Sequence, residues 1–512
     1  MNATANRVAI ATTSQLAADA AAEIAELGGN AIDCGIAAAM CSINTQPGVC
    51  ALAGSAFVTI WREGHSPVTI DGNVAVPGLG LPAGTKAMPE AVTIDYGGGV
   101  TTLVGASSVA VPGTLKALAL AARLYGTRPW RDLLAPSIRA ARDGFPLARA
   151  CHYYLGLAGK PIYVRSPDAV TALYDGHGAL LPDGGKVVVP HLADSLAAIA
   201  EEGASVFYEG DIGQAIVKHV SERGGVLTME DLARYAADVR ESLAVDVNGW
   251  RIATNPPPAI GGANLAAMLL CFGTERFLDW DDVTLDRLVG AQRAVMSYRK
   301  DRLDPANDVG KPALRMLALA RSGELASRYA SGSTVHTSAV DEAGTGCAIT
   351  ASSGYGSGEM PAGTGLWLNN CLGEIELNPY GLDAAPPGRR LPSNMAPGCA
   401  RSGDSVLAFG SPGADRITTA LHQFLVNFIQ RGLDLADAVA HPRVHLAIDE
   451  AGGVIATEPG MNVPQNGTPV NRYEDIDMYF GGVAAATYDR AGEFDAAADP
   501  RREGGTFISP QR

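Results

Sequence analysis

Two short strand pairs, at residues 56–71 and 335–352, do most to limit what this chain can become. Each pair needs neighbours for its edges and a helical layer for its apolar face. Ala56-Phe57-Val58-Thr59-Ile60-Trp61 and Pro67-Val68-Thr69-Ile70-Asp71 flank the polar turn Arg62-Glu63-Gly64-His65-Ser66 and read as a hairpin. Val335 to Val340 and Cys347 to Ser352, joined by Asp341-Glu342-Ala343-Gly344-Thr345-Gly346, read as a second. The helical cover is also legible. Ser14 can cap a helix from Leu16 to Leu27 that Gly28-Gly29 ends, and a second helix, rich in Ala and Gly, runs from Ala31 to about Ile43. Helix layers against an antiparallel sheet follow.

Between the hairpins, from Pro112-Gly113 to about Leu325, the pattern is mostly helical, with apolar residues three and four apart in Leu115 to Leu124 and Ile212 to Val220. The change to short alternating runs after Val335 puts a compositional seam near Thr334. The stretch Ile94-Asp95-Tyr96-Gly97-Gly98-Gly99-Val100-Thr101 lacks the Gly-x-Gly-x-x-Gly spacing of a dinucleotide site and is expected to be a loop.

A chain of 512 residues with 47% hydrophobic content can bury a large core, which excludes the disordered and fibrous classes. Its net charge of -15 repels phosphate backbones, so nucleic acid is not an expected partner. No segment reaches the roughly 18 apolar residues of a membrane span, and the first residues carry no charged leader before an apolar run. A cytoplasmic protein without a membrane partner is the expectation. Eight cysteines without a Cys-x-x-Cys pair read as reduced packing thiols. His441 and His445 are four apart, but Pro442 between them argues against a ligand face, and no metal site is expected.

At the seam the chain reads Ser331-Gly332-Ser333-Thr334-Val335-His336, and a threonine at a strand start ordinarily just satisfies β propensity. A series of blocks gives it more weight. Leu27-Gly28-Gly29-Asn30-Ala31-Ile32-Asp33, Val111-Pro112-Gly113, Tyr125-Gly126-Thr127-Arg128-Pro129-Trp130, Phe207-Tyr208-Glu209-Gly210, Gly224-Gly225-Val226-Leu227-Thr228 and Pro256-Pro257-Pro258 precede the seam. Gly356-Ser357-Gly358, Leu368-Asn369-Asn370, Ser393-Asn394-Met395-Ala396-Pro397, Gly410-Ser411-Pro412-Gly413-Ala414-Asp415-Arg416-Ile417 and Asp499-Pro500-Arg501-Arg502 follow it. In this order they resemble the gamma-glutamyltransferase (gamma-glutamyltranspeptidase) family of N-terminal nucleophile hydrolases.

The resemblance implies an α+β fold, the four-layer αββα sandwich. It also implies a precursor cut between Ser333 and Thr334 into a large subunit, 1–333, and a small subunit, 334–512, that share one structural domain. Thr334 would be the nucleophile and, through its freed α-amine with a reference pKa of about 7.7 to 8.0, the base. The backbone amides of Gly413 and Ala414 would bind the oxyanion. The family has glycine at the second position too; an alanine there can still donate its amide if φ is negative. Thr350 and Ser352, on the returning strand, would bring hydroxyls near the nucleophile, with polar strand packing as the alternative. No cofactor or metal is needed. The partners implied are a small-molecule amide and the two processed chains with each other, with further oligomerisation open.

Recognition of the acyl group departs from the family. The transferases hold the glutamyl α-carboxylate with an arginine after the first hairpin, where this chain reads Ile70-Asp71-Gly72-Asn73-Val74-Ala75-Val76-Pro77. Asn73 offers no bidentate partner for a carboxylate. Gly354 stands for an asparagine, Cys371 and Glu374 for a glutamine and an aspartate, and of a serine pair only Ser393 remains, followed by Asn394. Asn73, Tyr355, Cys371, Glu374, Ser393 and Asn394 are the candidate substrate contacts. Glu374 could bind an ammonium, Cys371 form a pocket wall, and Arg416 either supply the missing charge or pair with Asp415. The function implied is hydrolysis of a small amide or oxalyl-type substrate, by analogy with branches acting on oxamate or acylated β-lactams. A gamma-glutamyl transferase or glutathione hydrolase is the first alternative, and a catalytically silent binding scaffold the second.

Overall fold

The computed structural model of the protein describes residues 6–511 apart from 83, 97–98, 307, 326–333, 379–380, 383–384, 449–452, 465–466 and 490. Ser333, the residue expected on the near side of the cut, lies outside the described residues. Two antiparallel sheets lie face to face between helices. The first has seven strands in the order Gly505–Ile508, Val8–Thr12, Val335–Asp341, Gly346–Ser352, Ser55–Trp61, Val68–Gly72, Asp238–Glu241. The second has six, in the order Phe494–Ala498, Ala484–Tyr488, Ser405–Gly410, Gly398–Ser402, Trp250–Thr254, Leu243–Val247. Both expected hairpins form, and they meet edge to edge where Gly346–Ser352 pairs with Ser55–Trp61. Strands from both sides of the seam therefore share each sheet.

Period-two alternation sorts side chains into layers. In Val335–Asp341, Val335 and Ala339 join the core under the helices, whereas Val340 meets Ala348, Val406, Ala408 and Ala486 between the sheets. Helices Gln15–Glu26 and Ala31–Thr45 cover the first sheet, and Gly261–Phe272, Asp282–Tyr298 and Arg416–Leu425 cover the second. The four layers make an αββα sandwich.

Local chemistry explains the first block. Ser14 accepts from Ala17 N at 3.2 Å. Asn30 and Asp33 form a reciprocal capping box, and Asp33 also accepts from Thr127 N and Oγ1, which ties the second helix to Gly126-Thr127-Arg128. That helix is buried throughout, which its small residues allow.

The middle of the chain is less uniformly helical than its pattern suggests. Asp238–Glu241, Leu243–Val247 and Trp250–Thr254 are strands, the last two joined by Asn248-Gly249 with φ of +49° and +82°. An Asn-Gly pair between alternating apolar residues is a strong hairpin signal that the surrounding helical periodicity masked. The glycine-rich stretch after Ile94 joins the paired strands Glu90–Ile94 and Val100–Val104. All eight cysteines are free and all but Cys271 are buried.

Candidate active site

Thr334 is buried at the head of its strand, 2% exposed. The pairing of Val335 with Ala351 sets Thr334 opposite Ser352, and both line one cavity. Two pairs further in, His336 faces Thr350, with Nδ1 2.8 Å from Thr350 Oγ1 and Nε2 2.8 Å from Ser338 Oγ. Ser338 spends its hydroxyl proton on Ala484 O, so Nε2 carries the ring proton and Nδ1 accepts from Thr350. Burial pulls the imidazole down to about 3, which keeps it neutral. Thr350 is thus committed to His336 and does not line the cavity, whereas Ser352 does. His336 packs directly on the second sheet: a Cβ at Gly410 would come within 2.2 Å of its Cε1.

The turn after Gly410 carries the candidate oxyanion amides. Gly413 has φ of +117°, and a Cβ there would lie 2.6 Å from Gly481 Cα. Ala414 has φ of +77°, so the negative value that would leave an alanine unstrained is not adopted, at a cost of about 1–2 kcal/mol. Neither amide donates a hydrogen bond among the described residues. Both precede helix Arg416–Leu425, whose positive end reinforces them for an anion. Asp415 holds the turn: Oδ1 is 2.7 Å from Arg416 Nη1 and Oδ2 is 3.0 Å from His445 Nε2. Burial alone would raise this carboxyl, but His445 and Arg416 hold it below the usual range.

The cavity beside Thr334 is small, about 20 Å³, little more than a water needs. Its walls include Asn73, Cys371, Glu374, Ser393, Asn394 and Ala414, with Ser55, Val74, Leu377, Pro392 and Met395, which the sequence did not single out. Among the described residues no lysine or arginine lines it. Asn369 and Asn370 set the Cys371–Glu374 wall. Asn369 Oδ1 accepts from Ala110 N and Cys371 N, and Asn370 Nδ2 donates to Thr102 Oγ1 and Leu103 O. Burial and the neighbouring Glu376 push Glu374 well above the usual carboxylate range, which weakens it as an ammonium partner. Burial likewise raises the Cys371 thiol, which suits a wall and not a nucleophile.

Other candidates are placed differently. Asn73 lines the cavity but gives its amide to Leu391 O at 2.6 Å. Tyr355 stands outside the lining, its hydroxyl on Glu376 Oε1 at 2.8 Å. Arg416 stands outside too, paired with Asp415 and lying over the Tyr479 ring. The sequence reading missed Arg299: buried on a π-helical turn, its Nη1 donates to Asn394 Oδ1 at 2.8 Å and its Nε to Asp304 Oδ1 at 3.1 Å. It also missed a second small cavity that Thr334 lines together with Thr13, Gln46, Pro412 and Arg502.

A model of the gamma-glutamyltranspeptidase family matches residues 17–509. The "Glutathione hydrolase proenzyme" of Pseudomonas aeruginosa is 30% identical over 553 aligned residues, covering 98% of this chain and 95% of its own. The "Acylase ACY 1 proenzyme" of Pseudomonas sp. strain V22 is 29% identical, covering 98% of this chain and 93% of its own. The crystal structure of cephalosporin acylase from Bacillus halodurans superposes with a TM-score of 0.80 at 24% identity, over 99% of this chain and 97% of that one. These likenesses, together with the αββα layers and a buried threonine heading a central strand, place the chain in the gamma-glutamyltranspeptidase family of N-terminal nucleophile hydrolases.

Proposed function

We propose that the chain is a self-processing N-terminal-threonine amidohydrolase that forms an acyl-enzyme on Thr334 and hydrolyses a small amide or oxalyl-type substrate. The observation that carries this reading is that Thr334 shares a cavity with Ala414, while the Gly413 and Ala414 amides donate to nothing else among the described residues.

In the precursor, Thr334 Oγ1 attacks the Ser333 carbonyl, the acyl group moves from nitrogen to oxygen, and water hydrolyses the ester. Subunits 1–333 and 334–512 result, the second with a free α-amine. That amine then takes the hydroxyl proton as Oγ1 attacks a substrate carbonyl, and the Gly413 and Ala414 amides hold the oxyanion. The amine returns the proton to the leaving nitrogen. Water, deprotonated by the same amine, releases the acid. Neutral His336 contributes packing and polarity under the strand, not proton transfer.

The narrow volume and a wall without a guanidinium among the described residues favour a small acyl group over a glutamyl one. The likeness to a protein named as a glutathione hydrolase supports a second reading, gamma-glutamyl hydrolysis or transfer. Incubation with oxamate, oxalyl, glutaryl and gamma-glutamyl compounds, read by product mass, separates them. Release of oxalyl- or glutaryl-type acids supports the first reading, and fast turnover of gamma-glutamyl-p-nitroanilide overturns it.

A further inference from the structure

Among the described residues, Glu374 and Cys371 are the only ionisable side chains on the wall of the cavity that Thr334 shares with Ala414. Glu374 is 5% exposed, and its carboxyl lies against Gly354, where a Cβ would come within 3.1 Å of Oε1. Any larger residue at 354 would take the space the carboxyl occupies. Its one hydrogen-bond partner among the described residues is the Cys371 thiol, and the oxygen that the thiol does not engage keeps accessible surface. With the rest of the residue buried, that oxygen opens on the cavity it lines.

No cation compensates this carboxyl among the described residues. The groups that face it are Glu376 on its own segment, the Cys371 thiol, and the Tyr154 hydroxyl from helix Arg149–Ile162, and none of them carries positive charge. Burial and the charge of Glu376 raise Glu374 well above the usual carboxylate range, so it keeps its proton and turns from an acceptor into a donor. The chemistry at Thr334 agrees with a neutral acid. A carboxylate in the same cavity would pair with the freed Thr334 amine and hold it protonated, idle as a base, whereas a neutral carboxyl leaves the amine its lone pair. The cavity, about 20 Å³, holds little more than the atom next to the attacked carbonyl and what that atom carries.

We propose that Glu374 is a specificity-determining hydrogen-bond donor that reads an acceptor oxygen on the atom next to the scissile carbonyl, so that α-oxo acyl groups are taken and acyl groups with an α-ammonium are turned away. This rests on the amidohydrolase reading for the identity of the site, and it adds the atom recognised and the residue that recognises it. An α-ammonium would meet a donor where it needs an acceptor, and an α-methyl would leave the carboxyl proton covered and unpaired. The hairpin without its arginine and the proton on Glu374 then describe one change. Neither charge of a glutamyl head group, the carboxylate or the ammonium, is matched by a described residue on this wall.

The test is calorimetric titration of the purified protein with pyruvamide, isobutyramide and alaninamide, which differ only in what the α-carbon carries: an oxygen acceptor, a methyl group or an ammonium. At pH about 6, where the alaninamide amine is charged, the wild type is expected to bind pyruvamide about tenfold or more tightly than either of the others. Glu374→Met is expected to abolish that preference, and Glu374→Gln, a neutral donor of the same shape, to keep part of it. Infrared spectra of the wild type are expected to show a protonated carboxylic acid that Glu374→Gln lacks. Equal binding of pyruvamide and isobutyramide, tightest binding of alaninamide, a preference untouched in Glu374→Met, or the same protonated-acid band in Glu374→Gln as in the wild type would each overturn the proposal. Circular dichroism reports whether the variants fold, and if Glu374→Met does not, the wild-type order of affinities and the infrared band decide. Acylation of Thr334, read separately by intact mass, keeps the two ideas apart. A pyruvamide preference without acylation contradicts the amidohydrolase reading alone, and acylation without the preference contradicts the Glu374 assignment alone.

Discussion

His336 faces Thr350 across the central hairpin, its Nδ1 accepting the threonine hydroxyl at 2.8 Å while Nε2 donates to Ser338. Thr350→Val keeps the volume and removes the donor, leaving Nδ1 buried and unsatisfied. The expected loss is about 1–3 kcal/mol of stability, read as a lower urea midpoint, whereas an unchanged midpoint would show that the hydrogen bond carries no weight.

The same burial makes stability depend on pH. His336 and His422 are both pulled from 6.5 to about 3, so between those values the unfolded chain binds protons that the folded chain refuses. Their contribution is complete above pH about 6.5 and is lost as pH falls towards 3. Imidazole NMR shifts are expected to report a neutral His336 ring, protonated on Nε2, at pH 5. A ring that titrates near 6.5 in the folded protein would contradict the assignment.

The Gly413-Ala414 turn makes opposite forecasts at neighbouring positions. Ala414→Gly removes the strain of φ at +77° and is expected to change stability by between zero and about +1 kcal/mol, with the amide donor intact. Gly413→Ala drives a Cβ to 2.6 Å from Gly481 Cα and is expected to cost about 2 kcal/mol or more and to lower the rate of chain cleavage. Thermal melts and a cleavage time course check both, and a harmless Gly413→Ala would remove the turn from the account.

Asn394 and Arg299 form a pair at the wall of the cavity beside Thr334. Asn394→Ala leaves Arg299 Nη1 without its acceptor beside an Nη2 that already lacks one, with only Asp304 still paired, so a loss of about 1–3 kcal/mol is expected. Asn394→Asp, which keeps the pair as a charged one, is expected to lose less. Denaturation midpoints decide the order, and equal losses would mean that Arg299 is not what holds Asn394.

Much of the frame was legible because it is written in local chemistry. Ser14, Asn30 and Asp33 cap helices within three or four residues, and both hairpins announce themselves by alternation around glycine-bearing turns. The Leu243–Thr254 hairpin was missed because its Asn248-Gly249 turn sits within a long helical pattern. The candidate site was legible where a motif marks it, as at Thr334 and the Gly413-Ala414 turn, and obscure where it depends on long-range closure. Arg299 meets Asn394 across 95 positions. Arg502 reaches Thr334's second cavity from near the end of the chain, beside Thr13 and Gln46 near its start. No spacing in the sequence announces such meetings. The positive φ at Ala414 was hidden for a different reason: an alanine gives no sign of a conformation that favours glycine.

The central claim, that Thr334 frees itself and then acts through its own amine, is tested most directly by intact mass and N-terminal sequencing of the purified protein beside Thr334→Ala. The account predicts that the wild type yields chains 1–333 and 334–512, the second beginning Thr-Val-His, and that Thr334→Ala remains one chain of 512 residues. A wild type that stays whole under conditions where Thr334→Ala also stays whole, or a new N-terminus at any other residue, would contradict it.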